Sequence, residues 1–166
     1  MFMRWLFPVI AIPFTVFILV PLVLVSASQN GAWKASVAEM NEFNFWFGAL
    51  FGIVGLVLAG WSVGLFAKYG EGTAAPWDPP QKFVARGPYL YVRNPMILGA
   101  FAILISEALF LNSIPIFIWF GVLAAGKYFY IPRIEEKELE ERFGHEYVIY
   151  KENVPRWVPR KKPWVG

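Results

Sequence analysis

The sequence contains no cysteine, which excludes disulfides, thiolate metal sites and a cysteine nucleophile. It has one histidine, His145, too few for a histidine-based metal centre and a poor basis for a Ser-His-Asp triad. Charge is scarce as well: 16% of residues are charged and 57% are hydrophobic. No strand–glycine–helix fingerprint of a dinucleotide fold is present. Gly70-Glu71-Gly72 lacks both the strand and the lysine of a phosphate loop and reads as a turn. The basic tail is short and adjoins a membrane anchor, so nucleic acid is not an expected partner. The chain of 166 residues shows no internal repeats or low-complexity tracts, and it is read as one domain, 1–166.

What is abundant is apolar sequence in blocks, the pattern of a membrane protein rather than of a large soluble core. The first block, 5–25, carries no charge. At about 1.5 Å per residue it crosses a hydrocarbon core of roughly 30 Å. Ser26-Ala27-Ser28 follow it as at a signal-peptide cleavage site, but the block exceeds the usual length of a signal sequence and reads as an anchor. Pro8, Pro13 and Pro21 interrupt it, which neighbouring groups in a bundle can compensate. The second block, 45–66, repeats small residues at four-residue spacing, Gly48/Gly52 and Gly60/Gly64, which permits close helix approach. The third and fourth blocks, 96–111 and 114–131, are separated only by Asn112-Ser113. They read as a helical hairpin, with either residue able to cap the second arm and Pro115 in its first turn. The first arm is about 24 Å long, short for a full crossing.

The expected architecture is therefore all-α and integral to the membrane, with about four spans and helices in a C-terminal tail, 132–166. Lysine and arginine set the orientation. Arg4, the loop 67–95 with Lys68, Lys82, Arg86 and Arg93, and the tail fall on one side, against Lys34 alone on the other. The positive-inside rule places that side, and both termini, in the cytoplasm. Glu107 lies within the third span, where an ionisable residue is a functional candidate by default.

The tail opens with an amphipathic helix whose Ile134, Leu139, Phe143 and Tyr147 share a face, with Gly144 as its stop. Glu138 and Arg142 are spaced as an i,i+4 ion pair. The final "VPRWVPRKKPW" joins tryptophan to arginine and lysine, a composition suited to an anionic membrane surface. Glu135 and Glu136 follow the fourth span within a few residues and must meet water, cations or donors there.

Three stretches together carry a family resemblance: "GTAAPWDPPQKFVARGPYLYVRNPM", the hairpin, and "EEKELEERFGHEYVIYKENVPRWVP". Their order and spacing resemble the isoprenylcysteine carboxyl methyltransferase family, to whose broader group the phospholipid methyltransferases belong. The resemblance spans residues 72–159. It implies an integral membrane methyltransferase using S-adenosylmethionine on the cytoplasmic side, with a lipophilic or prenylated acceptor entering from the bilayer. Carried over by motif, the cofactor contacts are Gln81, Lys82, Phe83, Val84, Tyr89, Asn94, Pro95, Met96, Ile97 and Glu135. Arg93, Asn94, Arg133 and Glu136 are the candidates for chemistry, and no metal is implied. Asn94 stands where the family usually has histidine, so no side chain titrates there near neutrality. Ile131 matches the position of a substrate-binding arginine in the eukaryotic carboxyl methyltransferases. An NADPH-dependent membrane reductase is the alternative enzyme, since Lys82, Arg86 and Arg93 form a basic cluster suited to a 2′-phosphate. A non-enzymatic membrane scaffold is the other alternative.

Overall fold

The computed structural model describes residues 11, 13–71 and 80–166, and among these every regular element is helical. The start of the first apolar block, with Pro8, and the loop segment 72–79 lie outside the described residues. Six α-helices are present among them: α1 (Val20–Ser28), α2 (Phe43–Leu65), α3 (Pro95–Phe110), α4 (Ile114–Tyr130), α5 (Glu136–Phe143) and α6 (His145–Asn153). Two continuous helical stretches are long and apolar enough to cross a membrane, Phe43–Gly70 and Ile114–Phe143. Thr15–Ser28 and Pro95–Phe110 are apolar but shorter, so among the described residues two helices meet the length and composition of a crossing.

Two of the π-helical interruptions lie at or near prolines, while a third, Phe66–Gly70, contains none. A π-helical turn, Thr15–Leu19, ends two residues before Pro21, and another, Ile131–Glu135, contains Pro132. Proline has no N–H for the usual i→i−4 bond, and the chain answers by widening one turn instead of breaking. The tail helix expected after the fourth block is thus the direct continuation of that block. The apolar run ends at this turn, and α5, "EKELEERF", is too charged to lie in hydrocarbon. Gly144 ends α5 at φ +57°, in the left-handed half of backbone space that glycine adopts without strain.

The chain divides into two compact units, one formed by residues through Val57 with Gly99–Ala124, the other by Leu58–Leu98 with Ala125–Gly166. In the first, small residues of α2 meet α3. A methyl group in place of the Gly55 hydrogen would lie 2.8 Å from the Gly99 carbonyl oxygen and 2.9 Å from the Ile103 nitrogen. At Gly52 it would lie 2.8 Å from the Ser106 hydroxyl, which donates to the Gly48 carbonyl at 2.7 Å. The large residues Trp46, Leu50, Ile53 and Val57 point outward and are exposed. Small and hydroxyl groups inward with bulky apolar groups outward is the pattern of helices packed in lipid. Of the two glycine pairs read from the sequence, Gly48/Gly52 makes this contact, whereas Gly60 and Gly64 have nothing within 4 Å of an added methyl.

The α3–α4 hairpin turns at Asn112, with φ +41°. Its side chain does not cap α4. It accepts from Asn44 Nδ2 at 2.5 Å and donates to Glu42 at 3.3 Å. The backbone of Ser36 and Ala38 donates to the Leu111 and Phe110 carbonyls, tying the preceding loop over the turn. Glu107 on α3 keeps one carboxyl oxygen buried without a hydrogen-bond partner.

In the second unit, a 3-10 turn, Gly87–Leu90, precedes α3. Gly87 has φ +56°, and an added methyl there would sit 3.0 Å from the Trp61 ring, so both backbone and space require glycine. The core of the unit is aromatic: Tyr147, Tyr150 and Val154 are buried against Phe83, Leu139, Phe143 and Trp164. The Tyr150 hydroxyl donates to the Tyr89 carbonyl at 2.7 Å. The chain after α6 then runs back along the turn, Arg93 N–H donating to the Pro155 carbonyl and the Arg160 and Trp164 N–H groups to the Tyr91 and Leu90 carbonyls, each at 2.9 Å.

Candidate active site

A cavity of about 320 Å³ opens within the second unit. Its walls come from the strand-free loop before α3, the first turn of α3, the end of α4 and the tail helices. Lys82, Phe83, Val84, Tyr89, Asn94, Met96, Ile97 and Glu135 all line it, as does Arg93. Four other nominated residues do not. Gln81 is used by its backbone, donating to the Gly70 carbonyl at 2.8 Å. Pro95 is fully buried at the start of α3. Arg133 faces elsewhere, donating to the Phe129 carbonyl at 3.3 Å with its guanidinium over the Phe129 ring. Glu136 lies behind the wall, 2% exposed. Ile131, at the substrate-arginine position, is buried at 1% exposure.

The structure adds residues that sequence motifs did not nominate. Phe66, Lys127, Tyr130, Leu139, Phe143, Tyr147 and Tyr150 also line the cavity. So do Glu138 and Arg142, whose i,i+4 spacing suggests an ion pair. Arg142 instead donates to the Pro80 carbonyl at 3.4 Å and lies over the Phe143 ring. For Leu139, Phe143 and Tyr147 the sequence signal is the apolar face of the tail helix, which by itself indicates packing; the others carry no such signal.

Two carboxylates in sequence have opposite environments. Glu135 faces the cavity, with Lys127 at 3.8 Å. Burial pushes its pKa up, against the pull of Lys127. Glu136 accepts from Arg156 Nε at 2.7 Å and from Arg93 Nη1 at 2.8 Å on one oxygen, and from Arg156 Nη2 at 2.8 Å on the other. Lys151 stands 3.8 Å away. Burial alone would raise the Glu136 pKa, but the Arg156 hydrogen bonds and the Arg93, Arg156 and Lys151 charges outweigh it and hold the carboxyl below its usual range. Burial, with the Glu136 charge behind it, raises the Tyr147 hydroxyl to about 12. Burial also raises the Tyr89 hydroxyl, so both phenols stay neutral donors and acceptors.

The lining has the chemistry of a site for a molecule with aromatic, hydroxyl-bearing and doubly charged parts. Phe83 and Tyr89 offer ring faces, Glu135 and Glu138 accept from hydroxyl or ammonium groups, and Lys82, Lys127 and Arg142 attract a carboxylate. A nucleoside carrying an amino-acid end and a sulfonium fits that donor set. No group of metal-ligating side chains occurs among the described residues.

Among the described residues every regular element is helical, the helix packing is of the lipid type, and a cavity lined by aromatic, acidic and basic groups lies beside the tail helices. The model of the phospholipid methyltransferase family matches residues 43–146, more than half of the chain, and the chain belongs to that family. The family is one of membrane methyltransferases, and enzymes of this type normally use S-adenosylmethionine. No curated protein matches the chain significantly.

Proposed function

We propose that the chain is a single-domain, multi-pass membrane enzyme that transfers a methyl group from S-adenosylmethionine to a lipophilic acceptor at the cytoplasmic face. Four spans with both termini cytoplasmic agree with the distribution of lysine and arginine. The observation that carries the reading is the cavity, because loop residues and tail residues distant in sequence supply a matched set of aromatic, acidic and basic groups to one volume.

When bound, S-adenosylmethionine supplies an electrophilic methyl on a positively charged sulfur. The protein's part is to bind, orient and exclude water. Tyr89 and Phe83, which line the cavity, would offer ring faces to the adenine or the sulfonium. Glu135 would accept from ribose hydroxyls or the ammonium, and the cavity cations would hold the carboxylate. Asn94 hydrogen-bonds without taking a proton. In-line displacement then needs acceptor and methyl carbon held about 3–3.5 Å apart, which is a matter of position more than of acid–base chemistry. A carboxylate acceptor needs no base. A thiol or amine acceptor must lose a proton, and Glu135 and Glu138 are the carboxylates that face the cavity. Glu136, both of whose oxygens already accept from guanidinium groups, serves position rather than proton transfer.

The acceptor is a carboxyl, thiol or amine on a lipid or prenyl chain. With Ile131 buried where a substrate arginine is expected, recognition of a prenylcysteine carboxylate falls to other cations, and a phospholipid amine suits the acidic part of the lining. The test is transfer of labelled methyl by the protein in lipid nanodiscs to phosphatidylethanolamine, a farnesylcysteine and a long-chain thiol, read in the organic phase. Label in one lipid class, lost in Glu135→Ala, is expected. A folded protein that labels none of them contradicts the proposal.

A further inference from the structure

We propose that Arg156, a residue of the tail that does not line the cavity, positions the cavity wall by fixing Glu136 behind Arg93 and by holding Asn94 through its own carbonyl; the inference rests on the S-adenosylmethionine reading above. From sequence, Arg156 belongs with the basic, tryptophan-bearing end suited to a membrane surface. The structure gives it a different task. Its guanidinium fork spans both oxygens of Glu136, Nε to Oε1 at 2.7 Å and Nη2 to Oε2 at 2.8 Å. The same Oε1 accepts from Arg93 Nη1 at 2.8 Å. The Arg156 carbonyl accepts from Asn94 Nδ2 at 3.4 Å, and the preceding carbonyl, of Pro155, accepts from the Arg93 N–H at 2.9 Å. Two successive cavity residues are thus held by two successive tail residues.

The arrangement is directional. The Arg93 side chain is 9% exposed, and its Nε has no hydrogen-bond partner, so Glu136, together with the Tyr147 hydroxyl, orients this guanidinium. Glu136 is in turn fixed in rotation by the two-point grip of Arg156. Without that grip, Oε2 keeps only Lys151 at 3.8 Å, and a single hydrogen bond, from Arg93 to Oε1 at 2.8 Å, is left to hold the carboxylate. A lysine at 156 keeps the charge but cannot engage both oxygens in one plane. If Arg156 were only an ion pair for stability, its loss would lower the folded fraction and leave the affinity of each folded molecule unchanged.

The experiment measures S-adenosylmethionine affinity and backbone amide exchange of segment 87–94 in nanodiscs. It compares the wild type, Arg156→Ala, Arg156→Lys and the exposed control Lys162→Ala. The expected results are a roughly tenfold or greater loss of affinity in Arg156→Ala, equivalent to about 1.4 kcal/mol, partial recovery in Arg156→Lys, and no change in the control. Exchange at Arg93 should rise in Arg156→Ala even without ligand. Affinity within twofold of wild type in folded Arg156→Ala, with exchange unchanged, overturns the inference. If Arg156→Ala does not fold, Arg156→Lys decides: wild-type affinity there overturns the inference, and weakened affinity supports it. A wild type that binds no S-adenosylmethionine removes the functional reading and this inference together, whereas a wild type that binds alongside an indifferent Arg156→Ala removes the inference alone.

Discussion

The α2–α3 contact gives a prediction with its own control. In Gly55→Ala, the new methyl meets the Gly99 carbonyl oxygen and Ile103 Cγ1 at 2.8 Å, and the Ile103 nitrogen at 2.9 Å. Ordinary contacts of this kind lie near 3.5–4.0 Å. Two of the three atoms are backbone and cannot rotate aside, so the helices must part by several tenths of an ångström. Alanine gains about 1 kcal/mol over glycine in helix propensity, and overpacking costs about 1–3 kcal/mol. The net is a loss of up to about 2 kcal/mol. Gly60→Ala adds the same methyl to open space and keeps only the propensity gain, about 1 kcal/mol. The two variants should therefore differ by about 1–3 kcal/mol in opposite directions around the wild type. The assay is unfolding followed by circular dichroism during titration from mild into denaturing detergent. If Gly55→Ala proves as stable as Gly60→Ala, the helices do not pack through these residues and the reasoning fails.

Further outcomes follow from the second unit. The Glu136 pKa is depressed in the folded state, so its contribution to stability is complete above the unfolded value of about 4.3 and fades as pH falls through the folded value. The wild type should lose stability on acidification below about pH 4, and Glu136→Gln, less stable at neutrality, should lack that part of the acid limb. Equal acid sensitivity in both would contradict the assignment. Gly87→Ala forces a left-handed conformation and presses on Trp61, and should cost about 1–3 kcal/mol with weakened cofactor binding; unchanged thermal unfolding would argue against it. Tyr150→Phe removes the buried bond to the Tyr89 carbonyl and should cost about 1–2 kcal/mol in the same assay.

Much of this organisation was legible in the sequence, for particular reasons. Apolar block length announced helices, and the prolines of the first block announced an interruption there, whereas the π turn Phe66–Gly70 contains no proline and had no such signal. The form of interruption, a π turn at Pro132 that lets α4 run on into α5, depends on compensation by the whole helix and has no local signature. Four-residue glycine spacing marked two pairs equally, but only a neighbouring helix decides which is used, and α3 reaches Gly48 and Gly52 while Gly60 and Gly64 face open space. The motif-bearing loop nominated residues that line one cavity. The tail contributions were harder to see, since Tyr147 reads as part of an apolar face, Tyr150 carries no signal of its own, and Arg156 reads as basic membrane tail. Arg93 and Glu136 are 43 positions apart, and their pairing exists only once the tail has folded back on the loop. The same folding back turns Arg142 toward Pro80, in place of the local pair with Glu138.

The central claim is tested most directly by equilibrium binding of labelled S-adenosylmethionine to the wild-type protein in lipid nanodiscs, with Glu135→Ala and excess NADPH in parallel. Saturable binding, weakened in Glu135→Ala and untouched by NADPH, is the predicted result. A folded protein that binds no S-adenosylmethionine, or releases it to NADPH, would contradict the account.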